Sequence, residues 1–150
     1  MARERVDGNK FQSEVETAAQ KIEQPVFVIR LRTPQARQAN VRNIADFILF
    51  GRTTQILEVK ETGDKSFSLN TFQQKQEVEK FQKFFEEAKV YYNFQNDRPY
   101  RVAALVHFIR EGKYTLYYME DSPFVVMHPD DKNCLTWTSL KEAIQYIVTQ

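Results

Sequence analysis

Two apolar, β-rich runs, IADFILF (44–50) and TTQILEVKE (53–61), flank the pair Gly51-Arg52, and no other feature constrains the fold as tightly. Runs of this length around a glycine-led pair predict a hairpin of two antiparallel strands. Alternate residues of a strand point the same way, so Glu58 and Lys60 share one face while Leu57 and Val59 take the other. Asp46 lies in the partner run, a hairpin's length ahead, so the turn can bring Asp46, Glu58 and Lys60 to one place. Two carboxylates that close repel, and burying either one unpaired is costly. A divalent cation resolves the conflict. Magnesium takes oxygen ligands, often one or two carboxylates with the remaining positions filled by water and phosphate. It can acidify a water for attack on phosphorus and stabilise the charge that builds on phosphate, and Lys60 would add a positive charge beside it. The expected cofactor is Mg2+, with Mn2+ as a substitute. An ExK tripeptide alone is common by chance, and as a same-face ion pair on a wet sheet it is worth at most about 1 kcal/mol. Here it stands in an apolar strand, with an acid a hairpin away and a polar-rich helix to follow.

The remaining segments supply a frame for this hairpin. Phe11, Val15, Ala18, Ala19 and Ile22 recur at helical spacing between Gly8 and Pro25. PVFVIRLR (25–32) reads as a strand and gives way to a polar, basic loop that carries Pro34, Arg37 and Arg42. Phe72, Val78, Phe81, Phe84 and Phe85 predict a second helix over 71–88, after the turn-like GDKSFSLN. YRVAALVHFIR (100–110) and KYTLYYMED (113–121) are β-rich and separated by Glu111 and Gly112, a further hairpin. Ser139 with Glu142 three residues on predicts a capping box opening a last helix. The order αβββαββα describes an α/β protein with a mixed central sheet flanked by helices. A chain of 150 residues without a dividing linker is expected to be one domain, 1–150.

Charge and composition narrow the partners. The formal net charge is +1, so attraction to nucleic acid must come from local clusters. Arg30, Arg32, Arg37 and Arg42 gather around the loop before Asp46, and Lys65 lies in the turn after the ExK strand; these are the candidate DNA contacts. Tyr91, Tyr92 and Phe94 near Arg98 read as core at a helix end more readily than as a base-stacking surface. Cys134 is the only cysteine, which excludes an intramolecular disulfide and a multi-cysteine zinc cage. His107 and His128 are far apart and have no companion ligands, so His107 is expected to be an ordinary strand residue. Trp137 is expected to pack the last helix onto the sheet. No run approaches 18 apolar residues and the first twenty are charged and polar, so a cytoplasmic protein without a membrane partner is expected.

The span from Asp46 to Thr62, D-x11-ExKET, followed by SFSLNTFQQKQ (66–76), resembles the PD-(D/E)xK nuclease superfamily, and within it the RecU-type Holliday junction resolvases. The resemblance is clear over roughly residues 44–80. It implies a restriction-endonuclease-like core, with Asp46, Glu58 and the Val59 carbonyl holding the metal, Lys60 as the catalytic lysine and Gln76 positioning water or phosphate. It also implies a homodimer that cuts branched, four-way DNA. GNKFQSEV near the start is similar to the family's first helix, but Gln12 stands where the family has glutamate, and Glu16 lies one turn further on the same face. The counterpart of the family's basic stalk, roughly residues 33–43, is short. Two other functions fit the same residues: a restriction- or repair-type nuclease acting on duplex DNA, and a catalytically inactive DNA-binding module.

Overall fold

Around the hairpin the other strands add on both sides. The computed structural model describes residues 8–31, 45–68, 83, 87, 100–118, 126–132 and 134–150. Strand β1 (Phe27–Arg30) pairs antiparallel with β2 (Phe47–Phe50), and β2 pairs antiparallel with β3 (Thr54–Thr62) in a register running from Phe47 opposite Leu57 to Phe50 opposite Thr54. The turn is one residue longer than the Gly51-Arg52 pair alone, because Thr53 stays outside the ladder and its carbonyl accepts from Gly51 N–H at 3.4 Å. Gly51 is required here by close approach: a Cβ would sit 2.9 Å from the carbonyl oxygen of Val148.

Strand β3 then pairs in parallel with β5 (Tyr100–Phe108), β5 antiparallel with β6 (Lys113–Tyr118), and β6 antiparallel with a short strand, β8 (Leu135–Trp137). The result is a mixed six-stranded sheet of order β1-β2-β3-β5-β6-β8. A parallel pair needs a crossover connection, usually helical. Within that crossover Lys83 and Glu87 are helical; the rest of the helix predicted over 71–88 lies outside the described residues. Gly112, at φ +62°, turns the β5–β6 hairpin through a left-handed conformation that costs other residues roughly 1 kcal/mol or more.

Three short strands depart from the sequence expectation. Phe67–Ser68 (β4), in a stretch that reads as a turn, pairs antiparallel with Val126–Met127 (β7), and Leu135–Trp137 forms the far edge of the main sheet. Strands of two or three residues are too short to show alternation, and only the partner across the gap defines them.

Strand parity sorts the core into two layers. Phe47, Leu49, Leu57, Val59, Ala103, Leu105 and Leu116 point toward helix α1 (Gly8–Gln20) and the last helix, α2 (Leu140–Thr149). Phe11, Val15 and Ala19 of α1 and Ala143, Ile144, Ile147 and Val148 of α2 meet them, each large side chain contributing about 1.5–3 kcal/mol of burial. The opposite face carries Ala104, Val106, Phe108 and Tyr117 against Met127 and Cys134. Covered on both faces, β3 is buried almost end to end. Helix α2 starts as predicted: Ser139 accepts from the Glu142 N–H at 3.4 Å, a cap worth about 1 kcal/mol. The Trp137 ring meets Tyr146 at 5.1 Å, tilted by 43°, and packs α2 to the sheet, also as predicted. Among the described residues no helix is long and apolar enough to cross a membrane.

Candidate functional site

Asp46 sits one position before β2, so the hairpin register continued by one step places it opposite Glu58. Its backbone is fixed from β1, the Leu31 N–H donating to the Asp46 carbonyl at 2.7 Å. Its side chain closes the ladder that β2 leaves unfinished: the Val59 N–H donates to Oδ2 at 2.9 Å. In an extended strand the N–H and C=O of one residue leave on the same side, so the Val59 carbonyl is directed to the Asp46 side as well.

Helix α1 completes the environment of Asp46. Gln12 Nε2 donates to Oδ1 at 3.3 Å, and Gln12 Oε1 accepts from Arg30 Nη2 at 3.3 Å. Arg30 Nη1 donates to Ser13 Oγ at 3.2 Å. The bond to Arg30 settles which end of the amide faces the acid, because a guanidinium can only donate. Gln12 is therefore the first-helix residue that reaches the acid pair. The Glu16 side chain makes no hydrogen bond or ion pair among the described residues.

Glu58 has the opposite surroundings. It is 3% exposed, and both carboxylate oxygens are buried without a hydrogen-bond partner among the described residues. Lys60 Nζ lies 3.5 Å from Oε1, an ion-pair contact from a side chain that is itself 43% exposed. Burial first, and then the Asp46 charge, push the Glu58 carboxyl up to about 8, against a partial offset from Lys60. Burial raises Asp46 too, but the Val59 N–H, Lys60, the Glu58 contact and Arg30 all favour its charged form. Burial thus raises both carboxyls, and the backbone N–H bond that favours charge on Asp46 has no counterpart at Glu58.

A buried carboxylate with two orphaned oxygens beside a hydrogen-bonded one fits a hard cation, which would satisfy them. Among the described residues no group of three His, Cys, Asp or Glu side chains could hold a metal. An ion here would thus rest on Asp46, Glu58 and a backbone carbonyl, with water or phosphate oxygens completing it.

The hairpin gathers Asp46, Glu58 and Lys60, as the spacing predicts, and the Val59 backbone lies beside Asp46. Arg30 joins them as a neighbour of Gln12, and Lys65 lies exposed in the turn after β3. Gln76, Arg32, Arg37 and Arg42 lie outside the described residues, as do Tyr91, Tyr92, Phe94 and Arg98. Two side chains went unassigned in the sequence. Ser13, which anchors Arg30, has no signal beyond standing next to Gln12. Glu61 pairs with His107 Nδ1 at 2.7 Å, and the His107 ring stacks on Tyr114 at 4.3 Å. Parity puts Glu61 on the helix-covered face, away from Glu58 and Lys60. Cys134 is buried, and desolvation raises its thiol to about 11, which makes it unreactive.

No family model matches the chain, and no curated protein matches it in sequence. Among solved structures, it is similar to Hjc, a Holliday junction resolvase from the archaeal hyperthermophile Archaeoglobus fulgidus, with 13% identity over 93% of this chain and 88% of that one and a TM-score of 0.41.

Proposed function

We propose that the chain is a Mg2+-dependent DNA endonuclease that hydrolyses phosphodiester bonds in branched DNA, acting as a homodimer in the cytoplasm. The observation that carries this reading is Glu58: a carboxylate buried at 3% exposure, with no hydrogen-bond partner for either oxygen among the described residues, between a fixed Asp46 and Lys60. Folding alone does not favour such a residue, because an acid buried without hydrogen bonds costs stability even beside a half-exposed lysine. It is explained by a ligand that replaces the proton.

Asp46, Glu58 and the Val59 carbonyl would hold the cation, and Mn2+ offers the same preference for oxygen. The chemistry it supplies when bound is acidification of a water and stabilisation of charge on phosphate oxygens. Asp46 is oriented for this by the Val59 N–H and Gln12. Glu58 would give up its proton to serve as a ligand. Lys60, partly exposed beside Glu58, directs an ammonium group toward the charge that develops on the phosphate. The preference for four-way junctions over duplex, the dimer and the role of Gln76 follow from the motif resemblance.

Gln12 favours a second reading. It presents an amide donor to Asp46 where the family carries an acid, and a site with one carboxylate fewer is the kind that survives in a binding module without turnover. Incubation of a labelled four-way junction and a matched linear duplex with Mg2+ or Mn2+ separates the readings. Cutting of the junction by the wild type and none by Lys60→Ala, with junction binding kept, is the expected result. Equal turnover in Lys60→Ala refutes the catalytic assignment, cutting of duplex alone favours a restriction- or repair-type nuclease, and binding without product in either metal favours the inactive module.

A further inference from the structure

We propose that the cleft between α1 and the first turn of α2 is a second contact for the phosphate backbone of DNA, separate from the carboxylate pair. The inference rests on the nuclease reading above. The cleft has a volume of about 560 Å3, and three lysines, Lys10, Lys21 and Lys141, line it against a single carboxylate, Glu14. The whole chain has a formal net charge of +1, so this excess of two positive charges around one opening is a local concentration of the kind that attracts a polyanion.

The spacing suits an extended backbone. Lys10, Glu14 and Thr17 fall on one stripe of α1, and Lys21 continues it one residue past the helix end, where its N–H still donates to the Thr17 carbonyl. At 1.5 Å per residue Lys10 and Lys21 are about 16 Å apart along the axis, enough to meet more than one phosphate of a strand. Ser13 and Thr17 add hydroxyl donors. Ala18 and Ile22 give the cleft apolar surface of the kind that lysine stems cover while their ammonium heads stay in water.

The same helix ties the cleft to the acid pair. Ser13 lines the cleft and also accepts from Arg30, whose other terminal nitrogen holds the Gln12 amide that donates to Asp46. The Lys10–Lys21 stripe lies about half a turn around α1 from Gln12, and the helices cover the sheet face opposite Glu58 and Lys60, so the cleft would meet a different part of the DNA from the carboxylate pair. An acidic peptide is the rival occupant, but it would not explain why the cleft shares a helix with the candidate nuclease site.

The experiment compares binding of a labelled DNA junction by the wild type, Lys21→Ala/Lys141→Ala and Lys132→Ala, without divalent cation so that nothing is cut, over a series of NaCl concentrations. Lys132 is an exposed lysine outside the cleft. The expected result is a salt slope smaller by about 2 in the double variant, about 1 per lysine, and at least roughly a tenfold loss of affinity at low salt. Lys132→Ala should match the wild type. An unchanged slope in the double variant, or an equal loss in Lys132→Ala, overturns the cleft and leaves the nuclease reading standing. A wild type that binds no DNA overturns both. Binding of polyglutamate as tight as that of DNA, lost in the double variant, overturns the DNA assignment.

Discussion

Replacing Glu58 by Gln should stabilise the metal-free protein, by an amount that grows with pH. In the fold the carboxyl is raised from 4.5 to about 8. Between those values the folded chain keeps a proton that the unfolded chain has released, so stability is fully present below 4.5 and is lost as pH rises toward 8. Each pH unit in the window costs about 1.4 kcal/mol, so near neutrality the wild type carries a penalty of order 3 kcal/mol that an uncharged amide of the same shape does not. In a chain of this size that is about 6–12 °C in Tm. The assay is thermal unfolding followed by circular dichroism in EDTA, from about pH 4.5 to about pH 8. The two proteins should melt together at the acid end, with Glu58→Gln progressively ahead above it. Added Mg2+ should then raise the wild type more than the variant, because a ligand stabilises only the fold that binds it. A Tm gap that stays constant across the pH range would refute the reasoning, since it would mean that Glu58 is not held protonated by burial.

Two further outcomes follow from the packing around the same hairpin. Gln12→Ala should cost about 1 kcal/mol and weaken Mg2+ binding in a calorimetric titration, and combining it with Arg30→Ala should cost less than the two single changes together, because both act through one chain of hydrogen bonds to Asp46. Gly51→Ala sets a methyl group 2.9 Å from the Val148 carbonyl, so the α2 end must shift; a loss of about 1–3 kcal/mol in urea unfolding is expected, and an unchanged midpoint would show that the turn has room.

Local sequence determined orientation. The β-branched runs and the glycine between them specified β2, β3 and their antiparallel pairing, and strand parity alone put Glu58 with Lys60 and the register put Asp46 across from Glu58. Ser139 and Glu142 marked the start of α2 in the same local way. These features arise within a few residues, where backbone geometry sets which way a side chain faces. Depth and partnership came only from the tertiary structure. That Glu58 is buried with no hydrogen-bond partner among the described residues depends on β5 and the packing on both faces of β3, which the sequence around Glu58 does not show. Gln12 meets Asp46 across 34 positions, Glu61 meets His107 across 46, and the short strands β4, β7 and β8 exist only through their partners. Periodicity records the direction a residue takes from its own strand or helix, whereas desolvation and long-range hydrogen bonds depend on what the rest of the chain brings to it. For that reason the carboxylate pair could be located from sequence, but the unequal hydrogen bonding of its members could not.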